Sequence, residues 1–103
     1  MDWYSLTNHK IEELLGKRLK QQRLQYNLTQ NELSAKTGIS RVSISKIERG
    51  SGANLSSILE IMRALHILDN IENLVPEQEI SPIEMIKLKN KSKKQRASSK
   101  KTR

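Results

Sequence analysis

Leu28-Thr-Gln-Asn-Glu-Leu-Ser-Ala-Lys-Thr-Gly-Ile-Ser-Arg-Val-Ser-Ile-Ser-Lys-Ile-Glu-Arg-Gly50 is the stretch that decides the fold. Thr29 is a good helix N-cap, and Glu32, three residues on, completes a capping box that satisfies two orphan backbone donors reciprocally. Leu33 then points inward, and Ser34 is small where two helices must approach closely. Gly38 ends this helix in the left-handed conformation that glycine adopts without steric cost. Ile39 packs across the turn and Ser40 caps the next helix, in which Ile44 and Ile47, three apart, face the core. Arg41, Val42, Ser45 and Lys46 are left on the other side. The plain alternative is a bundle segment whose charges merely face water, and it requires caps, turn and core spacing to agree by accident.

The pattern extends in both directions. Upstream, Thr7 or Asn8 caps a helix with Glu12 and Glu13 early and Lys17, Arg18, Lys20 and Arg23 late, as the helix dipole prefers. Ile11, Leu15 and Leu19 fall four apart with Leu14 beside them, an apolar stripe. Trp3, Tyr4 and Leu6 precede it and either cover the core or meet a partner. Downstream, Gly50-Ser-Gly-Ala-Asn54 is a turn, and Asn54 caps a fourth helix through about Leu65 with Leu55, Ile58, Leu59, Met62 and Leu65 inward. A shorter fifth pattern holds Ile67, Leu68, Ile71 and Leu74 and is closed by Pro76. Ser81-Pro-Ile-Glu84 then starts a helix of about two turns with Ile83, Met85, Ile86 and Leu88, too short to be stable alone. It is expected to dock on its own domain, a second copy or another protein. Beyond Asn90 no apolar period remains and disorder is the expectation. The fold class is therefore all-α: a five-helix domain over 7–75, a linker and short helix over 76–90, and a basic tail over 91–103.

Composition narrows what such a chain can do. At 103 residues it holds one compact domain, and with one Trp, two Tyr and no Phe its core must be mostly Leu and Ile. Without cysteine there is neither a disulfide framework nor a thiolate metal site, and His9 and His66 stand far apart. No cofactor is implied. No run reaches the roughly 18 apolar residues of a membrane span, and the N-terminus lacks a signal-peptide core, so a cytoplasmic protein is expected. No nucleophile, base and orienting acid stand together and no glycine-rich phosphate loop precedes a helix, which argues against an enzyme. The net charge of +8 is uneven: residues 87–103 carry nine Lys or Arg and no acid, leaving −1 on residues 1–86. Within these, 10–50 hold nine basic and four acidic groups, whereas 67–86 hold five acids and no base. A polyanion is drawn to the first end and to the tail.

The second helix of the pair has the side chains of a helix presented to the DNA major groove. Thr29, Gln30 and Asn31 stand at a helix N-terminus, where free N–H groups favour phosphate. Ser40 and Ser43 offer hydroxyls to phosphate or sugar. Arg41 and Lys46 reach guanine O6 and N7, Val42 contacts a thymine methyl, and Ser45 lies nearby.

Through Leu28-Thr-Gln-Asn-Glu-Leu-Ser, Gly38-Ile-Ser-Arg and Ile44-Ser-Lys-Ile-Glu-Arg-Gly50, the chain resembles the lambda-repressor-like, Cro-type (xenobiotic-response-element) helix-turn-helix family over about residues 15–75. The resemblance implies that Gln30 contacts phosphate and braces the recognition helix, with Arg41, Val42 and Lys46 facing bases. It also implies a structural ion pair between Arg23 and Glu48, and a homodimer on a near-palindromic duplex DNA operator, repressing transcription. Leu68, Ile71 and Leu74 are the candidate dimer seam. Ser51-Gly-Ala-Asn54 departs from the family, where many relatives have a basic residue and a proline, which removes support for a phosphate contact in that loop. Asn54-Leu-Ser-Ser-Ile-Leu59, at the start of the fourth helix, and the basic tail after Ser81-Pro-Ile-Glu-Met-Ile-Lys-Leu-Lys89 look similar to the antitoxin subunits of HipA-type kinase toxin–antitoxin systems. That implies an autoregulated operon and a kinase-like toxin as partner. An antitoxin acting mainly through protein contacts, a restriction–modification controller and a phage-type repressor are the alternatives. For the tail they are a DNA clamp, a toxin-binding segment or a solubilising end.

Overall fold

The computed structural model describes residues 1–78 and 82–98, which form helices, turns and irregular chain with no strand among them. A 3-10 turn, Trp3–Ser5, comes first, its amide of Tyr4 donating to the Asp2 carboxylate. Four α-helices follow: α1 (Asn8–Gln25), α2 (Gln30–Thr37), α3 (Arg41–Glu48) and α4 (Leu55–Ala64). Each starts where a short polar side chain takes an orphan amide. The Thr7 hydroxyl accepts from Lys10 N at 3.1 Å, so Thr7 rather than Asn8 is the cap. The Ser40 hydroxyl accepts from Ser43 N at 3.1 Å, and Asn54 Oδ1 from Ser57 N at 2.7 Å. At α2 the Thr29 hydroxyl accepts from Glu32 N at 3.0 Å while Thr29 N donates to the Glu32 carboxylate at 2.8 Å, the capping box expected from the spacing. Gly38, at φ 78°, ends α2 in the left-handed region. The same role falls to non-glycines elsewhere: Asn27 (φ 56°) follows α1 and His66 (φ 60°) follows α4. Leu28 N then reaches Arg23 O at 3.2 Å and Ile67 N reaches Met62 O at 2.9 Å, closing both helices.

The core is Leu33, Ile44, Ile47, Ile61 and Leu65, from α2, α3 and the end of α4, with Leu19, Leu28, Ile39, Ile58, Ala64 and Ile67 packed against it. Each of the five buried side chains contributes about 1.5–3 kcal/mol by leaving water. Two details differ from the apolar pattern. In α4 the buried residue is Ile61, whereas Leu55, in the first turn, is 61% exposed. In α1 the buried positions are Gly16 and Arg23, three and four residues either side of half-buried Leu19, and Leu15 is 45% exposed. A glycine and an arginine give no hydrophobic signal, so the stripe read from leucine and isoleucine lies one position off. Gly16 is there because α1 crosses α3 too closely for a side chain: a β-carbon would collide with the carbonyl groups of Ile47 and Glu48.

The fifth apolar pattern is a 3-10 turn, Leu68–Asn73, not an α-helix. Asn70 explains the difference, because both its backbone N and its side-chain Nδ2 bond Ile67 O at 3.1 Å, a local arrangement that competes with helix. By contact the chain divides into two units, Met1–Ile71 and Glu72–Arg103. The second contains α5 (Pro82–Ser98), far longer than the two turns expected and helical across part of the stretch where disorder is expected. Lys, Gln, Arg and Ala have high helix propensity without any apolar period, and 17 residues exceed the length at which isolated helices become marginal. The expected cap Ser81 and the last five residues of the tail, 99–103, lie outside the described residues.

Candidate nucleic-acid interface

In α3 every third or fourth residue is buried: Ile44, Ile47 and Glu48. Arg41, Val42, Ser43 and Lys46 are exposed and Ser45 is half-buried, so the positions singled out for base contact share the outer side of one helix. Val42 is 56% exposed, an apolar side chain standing in water with no core contact to explain it. The helix is held from behind by charge as well as by isoleucine. Arg23 Nε donates to Glu48 Oε2 at 2.7 Å and Nη2 to Oε1 at 3.0 Å, a bidentate pair whose side chains are 6% and 5% exposed. The third guanidinium nitrogen, Nη1, donates to Leu28 O at 2.7 Å, so no part of the buried charge is left unpaired.

This pair continues outward. Gln30 Nε2 donates to Glu48 Oε1 at 3.0 Å, and Gln30 Oε1 accepts from Arg41 Nη1 at 3.4 Å. The amide has one tolerable orientation, since turning it over sets its carbonyl against a carboxylate and its NH₂ against a guanidinium. A chain of polar contacts therefore runs from α1 through the end of α3 and the start of α2 to the first residue of α3. The joint between Gln30 and Glu48 is not visible in sequence.

Other candidates are partly occupied by the protein itself. The first-turn amides of α2 are not all free for an anion: Thr29 N is held by Glu32, whose carboxylate already sits at that helix N-terminus. Gln30 and Asn31 follow it, half-buried and exposed respectively. The Ser40 hydroxyl, besides capping, donates to Ser43 Oγ at 3.0 Å. Ser45 Oγ accepts from Arg49 Nη1 at 2.7 Å. Arg49 is exposed and was not among the residues expected here, although Arg41, Ser45 and Arg49 recur four apart and so follow one side of the helix. Beside α3 a concavity of about 230 Å³ is lined by Ser43, Lys46, Ile47, Gly52, Ala53, Asn54 and Ser57, placing Lys46 next to the start of α4.

Residues 19–67, from within α1 to just past α4, match the helix-turn-helix family. This segment is a helix-turn-helix DNA-binding domain. α2 and α3 are the two helices of the motif and Gly38 lies in its turn, a non-catalytic architecture that regulates transcription. None of the curated proteins compared with the chain matches it. Among the described residues no helix is long and apolar enough to cross a membrane, and no group of three acidic, His or Cys side chains is placed to hold a metal ion.

Of the candidate seam residues outside the motif, Leu68 is half-buried, whereas Ile71 and Leu74 are 37% and 59% exposed. At the other end of the domain Arg18 lies over the Trp3 ring, 5.3 Å from its centroid, and Tyr4 is fully exposed.

Proposed function

We propose that the chain is a lambda-repressor-like, Cro-type transcriptional repressor that binds a near-palindromic operator as a homodimer. The observation that carries this is the outer side of α3, where Arg41, Val42 and Lys46 stand exposed while Ile44, Ile47 and the Glu48–Arg23 pair fix the helix from behind. Arg41 and Lys46 read guanine edges, Val42 meets a thymine methyl and Ser45 assists. Gln30, Asn31, Ser40 and Ser43 hold phosphates and set the register, and Thr29, its amide held by Glu32, has only its hydroxyl to offer one. Two copies, joined through Leu68, Ile71 and Leu74, place their α3 helices in successive major grooves about one helical turn apart. Selection from randomised duplex DNA tests this. An inverted-repeat consensus is expected with the native chain, lost in the R41A/K46A variant; no consensus from the native chain overturns the proposal.

A second role is favoured by α5. Ile83, Met85, Ile86 and Leu88 are 45–68% exposed, apolar side chains that a protein partner would cover. Their exposure supports the antitoxin reading, in which the chain represses its own operon and neutralises a HipA-type kinase-like toxin. A chain ending at Val75 should then fail to retain such a toxin, which the R41A/K46A variant still holds. Equal retention by the shortened chain removes α5 from that role.

A further inference from the structure

The residues of α5 from Lys87 onward are unused by the operator reading above, yet they carry six basic groups and no acid. Residues 1–86 sum to −1, so the positive net charge of the chain lies entirely beyond them, and this part of α5 is its start. The spacing within the helix is specific. Positions Lys87, Lys91 and Lys94 follow the i, i+4, i+7 rule for one helix face. Positions Lys89, Lys93 and Arg96 repeat the same spacing two residues later, which at about 100° per residue puts them on the opposite face. A helix lying on an anionic membrane keeps one side apolar, and this segment, with only Leu88 and Ala97 apolar, has none to offer. Positive charge on two opposed faces suits a cleft with negative walls. The major groove is such a cleft, about 12 Å wide between two phosphate rows and able to admit an α-helix.

We propose that residues 87–98 of α5 form a second, sequence-independent contact with duplex DNA, in which the two basic faces meet phosphates on both walls of a groove. The inference rests on the DNA binding of the helix-turn-helix domain for its partner, but not on that domain's sequence preference. The segment extends about 18 Å at 1.5 Å per residue, alongside roughly ten duplex phosphates. Its contribution is affinity and salt dependence rather than base choice.

The test is fluorescence anisotropy of the full chain on a labelled consensus duplex and on a scrambled one, between about 50 and 300 mM NaCl. Three variants are compared with the native chain: K87Q/K91Q/K94Q, K89Q/K93Q/R96Q, and all six changes together. Gln keeps a helix propensity close to that of Lys while removing the charge. Each triple variant is expected to lower the slope of log K against log salt by about 2–3, and the sixfold variant by about 5, equally on both duplexes. An unchanged slope in the sixfold variant overturns the contact. A loss confined to one triple variant overturns the two-walled geometry. Failure of the operator reading shows itself separately, as equal binding of the two duplexes by the native chain.

Discussion

Gln30 stands between Glu48 and Arg41, and its amide is fixed by opposite charges at its two ends. The consequence falls on Arg41, whose exposed guanidinium has the Gln30 carbonyl as a neighbour at 3.4 Å at the start of α3. A planar fork presented in this way suits the paired acceptors of guanine, and a point charge does not. Arg41→Lys is therefore expected to lose nearly as much base selectivity as Arg41→Ala, about 1–3 kcal/mol at one position of each half-site. Competition with duplexes changed at single base pairs measures it; a lysine variant that keeps the native preference would show that charge alone suffices. Backbone geometry gives a second prediction at this scale. Asn27 closes α1 at φ 56°, where an ordinary L residue is strained by roughly 1–2 kcal/mol. Asn27→Ala should lower the unfolding free energy by about 1 kcal/mol, and Asn27→Gly should not, in urea titrations followed by circular dichroism.

Among the elements, α1 is where sequence and structure part most. The caps of α2 to α4 were legible, and that of α1 to within one residue, because a hydroxyl, carboxylate or amide before an apolar period has one efficient use. The motif was legible for the same reason, since capping box, Gly38, Ser40 and the Ile44–Ile47 pair each restrict the others. Periodicity failed where the buried side chain was not apolar. Gly16 is inside because α3 leaves no room for more, and Arg23 because Glu48 neutralises it there and the Leu28 carbonyl accepts from its remaining nitrogen. Arg49 and the Gln30–Glu48 joint depend on side-chain reach, which spacing does not report, and α5 depends on propensity rather than pattern. The charged joint between α1 and α3 makes its own prediction. Glu48→Ala strands a buried guanidinium and should cost about 3–5 kcal/mol. The double change Arg23→Met with Glu48→Leu leaves no charge behind and should recover much of that loss. Urea midpoints compared at constant m decide it, and a double variant no more stable than Glu48→Ala would mean that the pair is required for the packing of α1 itself.

For the molecule as a whole, the distribution of charge and apolar surface separates three tasks along the chain. On the proposed reading, base contacts fall to α3, long-range attraction to the basic part of α5, and pairing to the segment between α4 and Leu74. The last assignment follows from what the 3-10 turn leaves uncovered: Ile71, Leu74 and Val75 are 37%, 59% and 79% exposed, on a stretch whose charged residues are all acidic. Such residues add little to a monomer's core, so a charge placed among them should leave the fold intact and act on association alone. Ile71→Glu is expected to shift sedimentation equilibrium from dimer to monomer at micromolar concentration, with the circular dichroism spectrum unchanged. Binding to a complete inverted repeat should then fall by about 10²-fold or more, because the second half-site is no longer reached at the high effective concentration that pairing provides. Binding to an isolated half-site should stay as it was, since one α3 helix and its neighbouring phosphate contacts remain. An equal loss on both duplexes would place Ile71 in the support of the domain rather than in a seam between two copies.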